Sequence, residues 1–251
     1  MNWKKIAIIS LDACIACYLL LAMTSWNKPD DHLNICTEVK IAIEEDIVDG
    51  FLTPDKVKQM LHKKRLYPVT LPMSQVNTRQ IEESLCGEAL VEKAECYKTQ
   101  GGQVCIDIRQ RIPVIRVKAD NGDDYYVDSH GEVMPQTNYA CNLIVATGHI
   151  SKNYAGKTLA PLAKQLLGDN FWKNQVEQLN VLADGSVEMV PRVGDHIAYI
   201  GQPTNVASKL DRLRKFYRYG LSEAGWNKYS RVSVEFDNQI ICKRRNFKAK
   251  K

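Results

Sequence analysis

Pro113 separates two runs of alternating hydrophobicity, and that separation constrains the whole chain. Before it, Val104, Ile106 and Ile108 alternate with Cys105, Asp107 and Arg109, the period of a half-buried strand. Proline donates nothing to a ladder, so that strand ends or bends at residue 113. After it, residues 114–117 open a new run, Asn121-Gly122 is a hairpin signal, and residues 125–127 read as the returning strand. Asp128 and Gly131 then take the first and last places of a type I turn. The stretch is a strand-rich hinge between a small mixed module and a larger sheet module.

A chain of 251 residues suits two such modules and an anchor. Positions 6–26, from Ile6 through Leu20 to Trp26, are apolar apart from Ser10, Asp12, Thr24 and Ser25. At 1.5 Å per residue they cover about 30 Å, one bilayer core. Trp3 and Trp26 flank the run as interfacial aromatics, and Lys4 and Lys5 place the N-terminus in the cytoplasm. The expectation is a stub at 1–5, a transmembrane helix at 6–26 and a polar linker at 27–36. A cleaved signal peptide is the rival reading, but the best cleavage window, Ala22-Met23-Thr24, is poor. Asp12 within the span either reaches toward headgroups or packs against a partner's helix.

In the first module, residues 37–113, Val39, Ile41 and Ile43 alternate as a strand. Thr53-Pro54-Asp55 starts a helix, Leu66-Tyr67-Pro68 stops it, and Asn77 caps a second. Two strands at 90–99 and 104–110 follow, joined by Gln100-Gly101-Gly102. In the second module, residues 114–244, a helix is expected at 157–167 with Pro161 in its first turn. Ala183-Asp184-Gly185 joins two strands, a short strand follows at 197–200, and Asn205 caps another helix. Val206, Leu210, Leu213, Tyr217 and Leu221 share one face of it, and Arg212, Lys215 and Arg218 form a solvated face. A last hairpin pairs 232–236 with 239–243 around a two-residue turn, Asp237-Asn238. Its final strand reads as a sheet edge whose centre, Ile240-Ile241-Cys242, has neither charge nor proline to discourage pairing. A basic tail, 245–251, ends the chain.

Gln110-Arg111-x-Pro113, then Tyr125-Tyr126-Val127-Asp128-x-x-Gly131-x-x-x-Pro135, behind an N-terminal apolar span, resembles the bacterial cell-division family FtsQ/DivIB. The resemblance covers nearly the whole chain. It implies an α+β chain: an N-terminal transmembrane helix, a POTRA domain over 37–113, and a C-terminal mixed β-sheet domain with flanking helices. It also implies a bitopic, inner-membrane, non-enzymatic scaffold at the division septum, its bulk periplasmic. Partners would be FtsB- and FtsL-like bitopic proteins, which add a strand at the C-terminal hairpin. Carried over position by position, Phe236 stands for the family's tyrosine, Asn238 for its serine, Gln239 for its glycine and Arg244 for its tryptophan. Only Phe236 is conservative. The implied docking set is Phe236, Asn238, Gln239, Ile240, Ile241 and Arg244, with backbone pairing better preserved than side-chain detail and Arg244 meeting an acidic residue instead of packing.

A net charge of +5 is far below what would make nucleic acid the default ligand. The five histidines make no H-E-x-x-H, the single C-x-x-C (Cys14, Cys17) lies in the span, and no P-loop, G-x-G-x-x-G or G-x-S-x-G occurs. No metal, cofactor or small-molecule substrate is expected. Six of the eight cysteines, Cys36, Cys86, Cys96, Cys105, Cys141 and Cys242, fall outside the span. Cys96 and Cys105 sit on adjacent strands but on opposite faces, so free, largely buried thiols are expected. The alternative functions are a POTRA-containing envelope assembly or transport factor and, last, a Cys/His periplasmic hydrolase.

Overall fold

The computed structural model describes residues 3–24, 34–44, 52–136 and 143–245. These fall into two compact units, Met1–Glu44 with Pro54–Cys86 and Lys93–Ile108, and Glu45–Thr53 with Gly87–Glu92 and Arg109–Lys251.

The first unit begins with helix α1, Trp3–Thr24. Among the described residues no helix is long and apolar enough to cross a membrane. Of the helix expected over 6–26, positions 6–24 are helical and 25–26 lie outside the described residues; a membrane span is not shown. Asp12 and Leu20 lie exposed on it; the side chain of Ile6 and all of Trp26 lie outside the described residues.

Strand β1 (Glu38–Glu44), helices α2 (Pro54–Lys63) and α3 (Thr78–Cys86), and strands β2 (Val91–Lys98) and β3 (Gln103–Gln110) follow in the expected order. The strands form one sheet, β1-β3-β2. Alternation decides what they bury: Val104, Ile106 and Ile108 of β3 are at most 1% exposed, and Val57 and Leu61 of α2 and Ile81 and Leu85 of α3 are likewise buried. Asn77 caps α3, its Oδ1 accepting the Gln80 N–H at 3.1 Å. The expected linker ends sooner than position 36. Cys36 is buried and donates its N–H to Leu71 O at 2.8 Å, so residues 34–36 are stitched into this unit.

The second unit is a nine-stranded sheet, ordered β12-β11-β10-β9-β8-β7-β4-β5-β6. Its strands are β4 (Pro113–Ala119), β5 (Asp124–Asp128), β6 (Val133–Pro135), β7 (Ile144–Gly148), β8 (Val176–Val181), β9 (Val187–Pro191), β10 (Ile197–Gly201), β11 (Tyr229–Ser233) and β12 (Ile241–Arg244). β4 and β7, β7 and β8, and β10 and β11 run parallel. Parallel neighbours need crossovers, and two of these are helical. Between β7 and β8 lie α4 (Lys152–Tyr154), a π-helical turn (Ala155–Leu159), α5 (Ala160–Leu167) and α6 (Asn170–Gln175); between β10 and β11 lie α7 (Val206–Lys215), a second π-turn (Phe216–Leu221) and α8 (Ser222–Ala224). Leu159, Leu162, Ala163, Leu166, Leu210, Leu213, Tyr217 and Leu221 pack in one core with Ile115, Val117, Leu179, Met189, Ala198 and Val232.

Three expectations are corrected here. The helix expected from 157 starts at Lys152, because Ser151 caps it by accepting the Tyr154 N–H at 3.2 Å. Pro161 is therefore near its middle, and the wide turn just before it accommodates the missing N–H. Asn205 does not cap α7 with its side chain. It sits at φ 51°, in the left-handed region, and its carbonyl accepts from Ser208 and Lys209.

The motif around Asp128 explains itself at close range. Asp128 is 2% exposed, and its Oδ1 accepts the N–H groups of His130 and Glu132, both at 2.8 Å. Arg111 Nη1 donates to its Oδ2 at 2.6 Å. Burial works to raise this carboxyl, and the arginine and the two N–H groups outweigh it, holding it below the usual carboxylate range. Gly131 closes the turn at φ 88°, where a Cβ would come within 2.7 Å of Gly156 O.

Candidate functional site

The last hairpin is longer and more open than a two-residue turn allows. β11 and β12 are antiparallel, with Ser233 opposite Ile241, Val232 opposite Cys242 and Arg231 opposite Lys243. The ladder to β12 stops at Ser233, and Val234 is held on the opposite side, by β10 and α7. Its N–H donates to Tyr199 O at 2.9 Å, and its carbonyl accepts Arg212 Nη2 at 2.9 Å. Residues 234–240 then form a loop, with Asn238 at φ 61°. Phe236, expected in a strand, lies in this loop and is 51% exposed.

Alternation fixes which way the edge faces. With Val234 turned to β10, Val232 faces β10 as well, and Arg231 and Ser233 face β12. Ile241 and Lys243 answer them, and Arg245 N–H continues the inward series to Lys228 O at 3.0 Å. The N–H and C=O groups of Cys242 and Arg244 consequently point away from the sheet. Among the described residues no further strand follows β12 in the sheet order. This is an open edge.

Of the expected docking residues, Phe236, Asn238, Gln239, Ile241 and Arg244 are exposed, on the loop and the edge. Ile240 is half-buried and packs on the main core, beside Cys242. That inward anchor holds the loop close and leaves Ile241, 51% exposed, as the apolar side chain of the edge.

Two arginines unmarked in the sequence brace this edge. Arg212, read as part of a solvated face, has a side chain only 18% exposed. Besides Val234 O it donates from Nη1 to Asp237 Oδ1 at 3.1 Å, tying the loop to α7. Its position between Leu210 and Leu213, at the margin of the apolar stripe, was the available signal. Arg245, assigned to the tail, donates to Asp195 Oδ2 at 3.0 Å and to Asp195 O, fastening the end of β12 to the loop before β10.

On the sheet face opposite the helices, Arg231 lies 4.2 Å over the Tyr199 ring and pairs with Glu188 at 2.9 Å. Glu188 in turn accepts from Asn180 Nδ2 at 3.2 Å. Behind the edge, His196 is 2% exposed, with Nε2 2.8 Å from the Tyr217 hydroxyl. Burial, then the Arg245 charge, lowers its pKa.

Cys96 is buried and Cys105 half-buried, on the opposite faces expected; Cys36 is buried and Cys242 half-buried, while Cys86 is exposed, against the expectation of largely buried thiols. All are free. Burial, with Glu82 nearby, pushes Cys96 up to about 12, which keeps it an unreactive thiol. Cys141 lies outside the described residues. Among the described residues no cluster of three potential metal ligands occurs.

A small sheet-and-helix unit is thus followed by a mixed sheet with β12 as its last strand. Family comparisons agree: a POTRA-like domain matches residues 34–109, and the FtsQ/DivIB C-terminal related family matches residues 112–243. The chain belongs to the FtsQ/DivIB C-terminal related family. That family is one of cell-division, scaffold-type proteins and not a known family of enzymes; membership implies divisome proteins as partners and membrane association at the division site. No curated protein matches the chain.

Proposed function

We propose that this protein is a non-enzymatic scaffold of the divisome that captures small bitopic partners of the FtsB and FtsL type by strand addition at β12. The observation that carries the reading is the outward N–H and C=O of Cys242 and Arg244 on an edge with no proline in it. In this reading residues 6–26 anchor the chain in the inner membrane, the rest of the first unit and the second unit are periplasmic, and the POTRA-like domain meets upstream division proteins. Phe236, Asn238 and Gln239 flank the added strand from the loop, and Ile241 and Arg244 contact it.

Cys242→Pro tests this. It deletes one outward N–H, a change an edge strand tolerates, and leaves the inward ladder intact. Co-purification of the bitopic partners with the full chain should be lost, while the unfolding transition is retained. Normal recovery of partners with this variant would refute strand addition.

A further inference from the structure

We infer that the strand captured at β12 carries an acidic residue opposite Lys243 and an aliphatic residue two positions away, opposite Ile241, both on the sheet face remote from the helices. The inference rests on the strand-addition reading and adds the chemistry of the partner.

The argument begins with charge. Lys243 stands directly opposite Arg231 on β11, and both lie on the face that alternates away from buried Val232. Like charges directly opposed across a ladder are unfavourable. Arg231 relieves its half of the conflict by leaning inward, over Tyr199 and onto Glu188. Lys243 has no such recourse. Of the carboxylates around the edge, Glu188 is held by Arg231, Asp237 by Arg212 and Asp195 by Arg245, while the Glu235 side chain lies against Gly201 at the end of β10. Among the described residues none pairs with Lys243 or Arg244. The edge therefore presents uncompensated positive charge next to an exposed isoleucine.

Geometry turns this into a pattern. Side chains at i and i+2 of a strand share a face, so Ile241 and Lys243 project together. A strand hydrogen-bonded to Cys242 and Arg244 presents its own i and i+2 side chains opposite those two. An aliphatic side chain against Ile241 and a carboxylate against Lys243 satisfy both and remove the Lys243–Arg231 conflict. A parallel strand would read aliphatic-x-acid and an antiparallel one acid-x-aliphatic, so the pattern also reports direction.

The test selects random ten-residue peptides displayed on phage against the full chain and against Lys243→Glu. Against the native chain, recovered peptides should carry Asp or Glu two positions from Ile, Leu or Val; against Lys243→Glu, Lys or Arg should replace the acid at that position. Binding of a selected peptide to Lys243→Glu should fall about tenfold or more, the scale of one charge-assisted contact. Identical preferences against both proteins would overturn the inference. Each selected peptide is also measured on Cys242→Pro. Peptides that lose binding there but show no acidic preference overturn only the charge pattern, whereas binding unaffected by the proline overturns strand addition itself, and the pattern with it.

Discussion

The two ends of the nine-stranded sheet are built to opposite purposes. At one end β6 is three residues long, finishes in Pro135, buries Met134 completely and is held by the turn around Asp128. Short strands and proline are how proteins close an edge. At the other end β12 has no proline, exposes Ile241 and turns cations outward. The braces on that side, Arg212 and Arg245, hold the loop and the strand end without covering the ladder. One edge is short and stopped by proline; the other carries no proline, and in the proposed reading a partner strand completes it.

The largest expected effect breaks the closed end. Asp128→Ala leaves Arg111 and two turn N–H groups without their acceptor, and should lower stability in urea unfolding by about 3 kcal/mol, the low end for breaking a buried pair. Partner capture at β12, measured below the transition, should persist. The same carboxylate sets an acid limit. Its folded pKa is depressed, so its stabilisation is full above the unfolded value of about 3.9 and is lost as pH falls through the lower folded value.

Arg212→Met should cost less stability, about 1–2 kcal/mol, the scale of lost charge-assisted hydrogen bonds. It should weaken partner capture more than Asp128→Ala does, because the loop bearing Phe236 loses its tie to α7. Pull-down of partners beside thermal unfolding separates the two effects. Smaller again, Ser151→Ala should cost about 1 kcal/mol through loss of a cap and leave both edges unchanged in hydrogen exchange.

The smallest effect concerns pH. His196 has a depressed pKa in the fold, so the unfolded chain binds its proton first, and stability should decline as pH falls below about 6.5. The groups facing it are the neutral Tyr217 and Trp226, with Arg245 contributing repulsion. His196→Gln should flatten the stability profile across that window in pH-dependent thermal unfolding.

How much of this was legible follows from how local each interaction is. Alternation around Ile106, the Asn121-Gly122 hairpin and the Asp128–Gly131 turn depend on neighbours in sequence, and they stand where the pattern put them. Pro161 was misread because its signal is ambiguous between the first turn of a helix and the turn after a π-bulge; only the Ser151 cap resolves it. The hairpin register failed for a nonlocal reason. Past Ser233 the chain is held on its β10 side, where Tyr199 and Arg212 engage both polar groups of Val234, and neither is near it in sequence. The edge itself was foreseen, yet its outward positions, the inward turn of Ile240 and the role of Arg245 came only from the register.

The most direct measurement compares the two edges in living cells. A photocrosslinking residue is placed at Ile241 on the open edge and, separately, at Val133 on the closed one. Strand addition predicts an adduct with a small bitopic division protein at position 241 and none at 133. Adducts at 133 alone, or at neither position in dividing cells that express the protein, would contradict the assignment of β12 as the docking edge.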